Sequence, residues 1–460
     1  MKHPSSFRDP SGYVFEENGY IMRAIHECHR RHWDTAVQSG LLDIAQQREY
    51  IVAFSETVTD STVWKILRTQ RIPFISYPYE WSFTQLQAAA LLTLDLHMLA
   101  LNHGMILKDA SAFNVQFYNA KPIFIDLLSF EIWKEASPWP AYRQFCQHFL
   151  APLLLMRYVD LRFGMLSKIF INGIDLDFTS KLLPMKTYFS SGIFMHIHLH
   201  AKVQKKYADI GLSVEKVRSA KCSKSAMENI VNSLRDIIVN LNLPRIKTEW
   251  SDYYIDTNYT DEDANVKAAY VEKLCLAAAK RDIALDVGAN TGRYSEILSK
   301  FYATVIAADI DPVAVDRHMR QLQERQTKIN ILPLVLDFVN STPALGWACQ
   351  ERASFHERVE ADCITALAII HHLYFTSGIP FKNQAEFFSS LLGRSGCLIL
   401  EFIQKSDAQV QRMIAAREMS LFDYSEEAMR HAFAEYFVEE TCIALPDSSR
   451  MLYLMRKKYD

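Results

Sequence analysis

Apolar positions change their spacing near the middle of the chain, and the change divides it. In residues 11–25, SGYVFEENGYIMRAI, apolar runs flank Glu16-Glu17-Asn18-Gly19. Asn-Gly accepts positive φ, so the pattern predicts a β-hairpin. Helical spacing follows over 34–56. Residues 72–81, IPFISYPYEW, predict an aromatic strand punctuated by Pro78, and 83–102 a long buried helix. A short strand, 121–125, leads into Asp126; residues 138–245 then read as helices broken near Pro138, Pro140 and Pro184.

The second half alternates. Residues 247–263, KTEWSDYYIDTNYTDED, are aromatic and polar, which predicts a boundary near 246: a first domain over 1–246, a linker or lid over 247–262, and a second domain over 263–460. A helix is expected over 262–280. An apolar run from Ile283 to Val287 then meets the tight loop Gly288-Ala289-Asn290-Thr291-Gly292. Tyr294, Ile297, Leu298 and Phe301 recur at helical spacing, and a second run, 304–308, ends in Asp309: strand, glycine loop, helix, strand. Further strands over 329–336, 362–369 and 397–403 alternate with helices over 312–325 and 383–393. Helices over 405–437 precede two closing strands, 439–445 and 450–456. The fold class is α/β: a doubly wound, mostly parallel seven-stranded sheet in the C-terminal half, behind an N-terminal α+β domain.

Composition narrows this picture. The chain has 460 residues, 49% apolar and 22% charged, which is globular and long enough for two or three domains. A net charge of −3 gives no nucleic-acid footprint, which needs a basic face. None of the eight cysteines forms a C-x-x-C pair, so neither a zinc ribbon nor a disulfide framework is indicated. The N-terminus lacks an apolar leader, and the longest apolar stretch, 86–101, is interrupted by Asp95 and His97. A cytoplasmic chain without a membrane span is expected.

The glycine loop carries the chemistry. Its glycines permit a sharp turn and close approach of a ligand, and Asn290 tolerates left-handed backbone. Asp309 follows Asp286 by 23 residues, near the roughly 20 expected of an acid that binds a ribose. These residues, DVGANTG and then ADIDP, resemble motif I of the class I S-adenosylmethionine-dependent methyltransferases. The resemblance implies a cofactor-binding set of Asp286, Gly288, Asn290, Gly292, Asp309 and Ile310, with Asp309 on the ribose. It also implies Asp337, at the end of the third strand, on the adenine amino group, with Phe338 along the ring. The fourth strand, DCITALAI, runs into Ile370-His371-His372-Leu373 and resembles motif IV. Small Ala366 lets a ligand lie close, and His371 or His372 beyond the strand is placed to take a proton.

The first half carries a second resemblance. Asp109 and Asn114 are five apart, and the following strand leads to Asp126. This is similar to the catalytic loop and metal-binding acid of kinase-like folds, which implies Asp109 as the group orienting an acceptor hydroxyl, Asn114 and Asp126 on magnesium, and ATP as a ligand. Departures are plain: His103 lies six residues before Asp109, Leu127-Leu128 follow Asp126, and no glycine-rich phosphate loop precedes. Arg23 is the nearest candidate for the missing lysine. His196, His198 and His200 alternate without an interleaved acid and read as structural.

RDPSGYVF, SYPYEW, LKDASAFNVQF, TEWSDYYIDTNY, PALGWA, ALAIIHHL and EFIQKSDAQVQ together resemble a bacterial family of nodulation-protein-like class I methyltransferases over nearly the whole chain. The resemblance implies S-adenosylmethionine as cofactor and a small-molecule or saccharide acceptor. It leaves open a bifunctional enzyme, and a partner-binding first half (1–246) serving a protein or RNA acceptor.

Overall fold

The computed structural model describes residues 2–57, 63–203, 222–244, 261–278, 282–325, 329–415, 423–446 and 448–458. Of the expected linker or lid, 247–262, residues 247–260 lie outside the described residues. The chain forms two compact units: residues 1–246 with 344–352, and residues 247–343 with 353–460.

In the first unit, β1 (Gly12–Glu17) and β2 (Tyr20–Ile25) form the hairpin, turned by Asn18 at φ 51° and Gly19 at φ 78°. β3 (Phe54–Thr57) and β4 (Lys65–Thr69) complete a sheet of order β1-β2-β4-β3. The region expected to be helical over 34–56 is thus two helices, Arg30–Gln38 and Leu41–Gln47, and then a strand. Pairing with β4 overrides the weak strand pattern of Phe-Ser-Glu-Thr.

The strand expected over 72–81 is absent. The segment is irregular, with one 3-10 turn at Pro78–Glu80. Side chains rather than a neighbouring strand satisfy its backbone: Ser76 exchanges two 2.9 Å hydrogen bonds with the Gln116 amide, and Tyr77 N donates to Glu80 Oε2 at 2.9 Å. The helix Phe83–Asn102 starts in a capping box of Ser82 and Gln85 and is apolar nearly all round, because it is buried nearly all round. Two small pairs follow: β5 (Met105–Leu107) with β8 (Phe130–Ile132), and β6 (Val115–Tyr118) with β7 (Lys121–Phe124).

Residues 344–352 belong to this unit too, although their place in the chain predicts a loop beside the third strand of the second. Arg8 Nε donates to Glu351 Oε1 at 2.9 Å, and the Arg352 guanidinium lies 4.3 Å over the Phe113 ring.

The second unit is built on β9 (Ile283–Val287), β10 (Thr304–Asp309), β11 (Ile331–Val335), β12 (Ala361–Ala366), β13 (Leu392–Ile403), β14 (Phe437–Ala444) and β15 (Arg450–Lys457). Their order is β11-β10-β9-β12-β13-β15-β14. Neighbouring strands from β11 through β13 are parallel, and β15 is antiparallel to both its neighbours. Numbered within the unit this is 3-2-1-4-5-7-6, a parallel sheet completed by a terminal antiparallel hairpin. The parallel strands are buried on both faces, which explains their mostly apolar runs.

Candidate functional site

Strand order reverses between β9 and β12, and ligands of doubly wound sheets sit outside the carboxyl ends of the strands at such a point. The glycine loop leaves β9 there. Gly288, Asn290 and Gly292 have φ of 75°, 51° and 86°, the left-handed region in which Asn pays least after glycine. The loop has no room for larger residues at its glycines. A Cβ on Gly292 would fall 2.1 Å from the His318 ring, and one on Gly288 would fall 3.1 Å from Ile369 in the loop after β12.

Asp309, at the end of β10, ties two loops together. Its Oδ2 accepts from Asn290 N at 2.8 Å and its Oδ1 from Asp311 N at 2.8 Å. Burial, reinforced by the charges of Asp311 and Asp286 and opposed by those two amides, pushes its carboxyl up to about 6. Ile310 beside it is 58% exposed, an apolar surface at the strand end. Past β11, Asp337 is half-buried and accepts from Val339 N at 2.9 Å. The Phe338 ring lies edge-on to Phe355 and Phe387, with centroids 5.9 and 6.2 Å away. Ala366 ends β12 fully buried, opposite Val287.

Asp286 departs from its expected cofactor contact. Its oxygens accept from Ser295 Oγ at 2.6 Å and Thr365 Oγ1 at 2.7 Å, so it braces the loop from behind. Burial raises its carboxyl despite both bonds.

His371 and His372 open the short helix Ile370–Phe375, ring centroids 4.2 Å apart. Burial lowers both, His372 to about 4; the neighbouring charges of His372, Arg450 and Lys267 add to the effect on His371. His371 is buried and its Nδ1 has no hydrogen-bond partner.

In the first unit, Asp109 accepts from Ser111 N at 2.9 Å and Gln144 Nε2 at 2.8 Å. Burial and the nearby Asp126 charge raise its carboxyl. Asp126 is committed: Oδ1 accepts from Arg23 Nη1 at 2.6 Å, and Oδ2 from Ser129 Oγ at 2.5 Å. Burial opposes ionisation there, but Arg23 and Ser129 outweigh it and lower the carboxyl. Asn114 is engaged through its backbone, its carbonyl accepting from Ile125 N at 2.8 Å. Of the two residues expected on magnesium, Asn114 and Asp126, the acid is paired with Arg23, and among the described residues no group of three or more His, Cys, Asp or Glu is arranged to hold a metal.

No family model matches the chain. It is 33% identical to nodulation protein NoeA of Rhizobium meliloti (strain 1021) over 463 residues, spanning 98% of this chain and 95% of that one. The chain belongs to the NoeA family. Among solved structures, the N-methyltransferase NodS from Bradyrhizobium japonicum WM9 is 14% identical, with a TM-score of 0.33 over 43% of this chain and 98% of that one. Magnesium protoporphyrin IX methyltransferase (ChlM) from Synechocystis PCC 6803 is 17% identical, with a TM-score of 0.32 over 45% and 93%.

This NoeA-family chain also buries polar residues that sequence reasoning missed. Lys267, on the helix Asp261–Ala277, donates to Glu401 Oε2 at 2.6 Å, and Arg450 Nη1 donates to Glu401 Oε1 at 3.2 Å. All three are buried. Glu401 gave a signal, a charge inside the apolar run CLILEFI; Lys267 and Arg450 gave none. His318, under Gly292, was missed as well. Burial lowers it to about 4, so it packs as a neutral ring.

Proposed function

We propose that this chain is a methyltransferase that moves the methyl group of S-adenosylmethionine to a small-molecule acceptor of the saccharide or secondary-metabolite class. Asp309 carries the reading: one buried carboxylate, at the switch point of a 3-2-1-4-5-7-6 sheet, fixes the glycine loop and the next loop together. Each oxygen keeps lone-pair capacity after its amide bond, enough for the two hydroxyls of a ribose. The other residues fit the same nucleoside. Exposed Ile310 offers an apolar face, half-buried Asp337 an acceptor for an amino group, and the left-handed loop backbone a close approach.

The bound sulfonium supplies an electrophilic methyl, so the chain need not supply a nucleophile. Its residues hold, orient and exclude water. His371 and His372 follow the loop that touches Gly288 and are uncharged at neutral pH. Either ring can accept a hydrogen bond from an acceptor hydroxyl or amine. Burial, with the charges of His372, Arg450 and Lys267, disfavours a full imidazolium at His371, so orientation rather than proton removal is its role. The first unit, with Asp126 held by Arg23, is assigned to acceptor or partner recognition rather than phosphoryl transfer.

Charge-assisted hydrogen bonds to Asp309 are worth roughly 1.5–3 kcal/mol each. Asp309→Ala should raise the dissociation constant for S-adenosylhomocysteine about tenfold or more in calorimetry. Unchanged affinity would overturn the site.

A further inference from the structure

Ten of the 22 large apolar side chains that stand exposed among the described residues lie between Val159 and Val203, about a tenth of the chain. Scattered exposed apolar residues are normal, but a concentrated set marks a surface that meets something. One buried histidine assembles this surface. His198 Nδ1 is hydrogen-bonded to Ser180 Oγ at 2.7 Å, and its Nε2 to Thr187 Oγ1 at 2.9 Å. Those bonds fasten the helix Leu176–Leu182 and the turn Met185–Phe189 to the helical run 191–203, and Tyr188 stacks on the same imidazole at 3.7 Å. The three fastened elements turn Leu182, Met185 and Phe189 outward, together with Met195, Leu199 and Val203. The last three recur every fourth residue, so they form one stripe of the run. Met185 is 75% exposed and Phe189 89%.

The charge on this region is not that of the whole chain. Residues 157–203 hold six Lys and Arg against three Asp and no Glu, in a chain of net charge −3. Two of those Asp are bonded to Arg162 and Lys181. Lys186 and Lys202 instead rest over aromatic rings, 5.3 Å from Tyr158 and 6.0 Å from Tyr188. Apolar side chains interleaved with lysines on tyrosine rings match the boundary between headgroups and acyl chains. A second copy matches poorly, because an isologous contact sets the same cations against each other.

We propose that this face docks on an anionic lipid surface, with Met185, Phe189, Met195 and Leu199 entering the acyl boundary and Lys186 and Lys202 meeting lipid phosphates. The contact is peripheral: among the described residues no helix is long and apolar enough to cross a membrane. It uses the first unit alone and does not depend on the methyltransferase reading.

The test is co-sedimentation of the full chain with phosphatidylcholine vesicles, with and without about a quarter phosphatidylglycerol. Wild type should pellet with the anionic vesicles and stay in solution with the neutral ones. The pairs Met185→Asp/Phe189→Asp and Lys186→Glu/Lys202→Glu should each cut the bound fraction at least tenfold, with an unchanged melting curve, since all four side chains are exposed. Failure to pellet, or pelleting that neither pair reduces, would overturn the proposal. So would a concentration-dependent dimer that the first pair dissolves.

Discussion

At the scale of single residues, Asp309 sets a pH dependence. Its carboxyl is raised to about 6, mainly by burial. Above that pH it is ionised and offers its lone pairs; below, protonation removes acceptor capacity. Affinity for S-adenosylhomocysteine should be level above pH 7 and weaken as pH falls through about 6, with a limiting slope near tenfold per unit. Calorimetry from pH 7.5 to 5 reads this directly. An affinity independent of pH across that range would mean the carboxylate does not face the ligand. The sequence singles this acid out, because an apolar strand ends in it after a glycine loop. Asp286 stands out for the same reason. Its pattern resembles that of Asp309, but Ser295 and Thr365, which capture it, lie 9 and 79 residues further on.

At the scale of elements, the parallel strands were legible because burial on both faces leaves a plain apolar run. β3 was not, because Phe-Ser-Glu-Thr has no alternation and owes its conformation to β4. The 72–81 segment failed in the opposite way: aromatic residues suggest a strand, but Gln116 and Glu80 take its backbone bonds. The tie between the helix Asp261–Ala277 and β13 was invisible, since Lys267 and Glu401 are 134 residues apart. Breaking a buried pair strands a charge, at a cost of about 3–5 kcal/mol. Lys267→Met should therefore lower the melting temperature sharply. Lys267→Met with Glu401→Leu should recover part of the loss, although Arg450 then keeps Asp407, 3.6 Å away, but not Glu401. A single variant that melts like wild type would show that the pair contributes little.

At the scale of the whole molecule, buried neutral histidines occur in both units. His97 is lowered to about 3, and His148, His196, His318 and His372 to about 4, each chiefly by burial. In the unfolded chain these rings take up protons below about 6.5. Their depressed folded values mean the stability they contribute is complete above that pH and declines as pH falls toward 4. Each removes about 1.4 kcal/mol per unit across that window. Melting temperatures from pH 7.5 to 5 should fall steeply below 6.5, and a level profile would contradict the burial of these rings. Sequence could not supply this: His196 sits between Tyr142 and Ser233, and His198 between Ser180 and Thr187, partners that only the folded chain collects.

The membership of residues 344–352 has a practical outcome for dissecting the protein. The polypeptide crosses from one unit to the other three times, at 246, 343 and 352. A single scission at the first crossing would yield a front piece without Arg352 over Phe113 and without Glu351 for Arg8. Severing this chain into separately folding halves therefore calls for grafting those nine residues onto the front piece, not merely choosing where to cut.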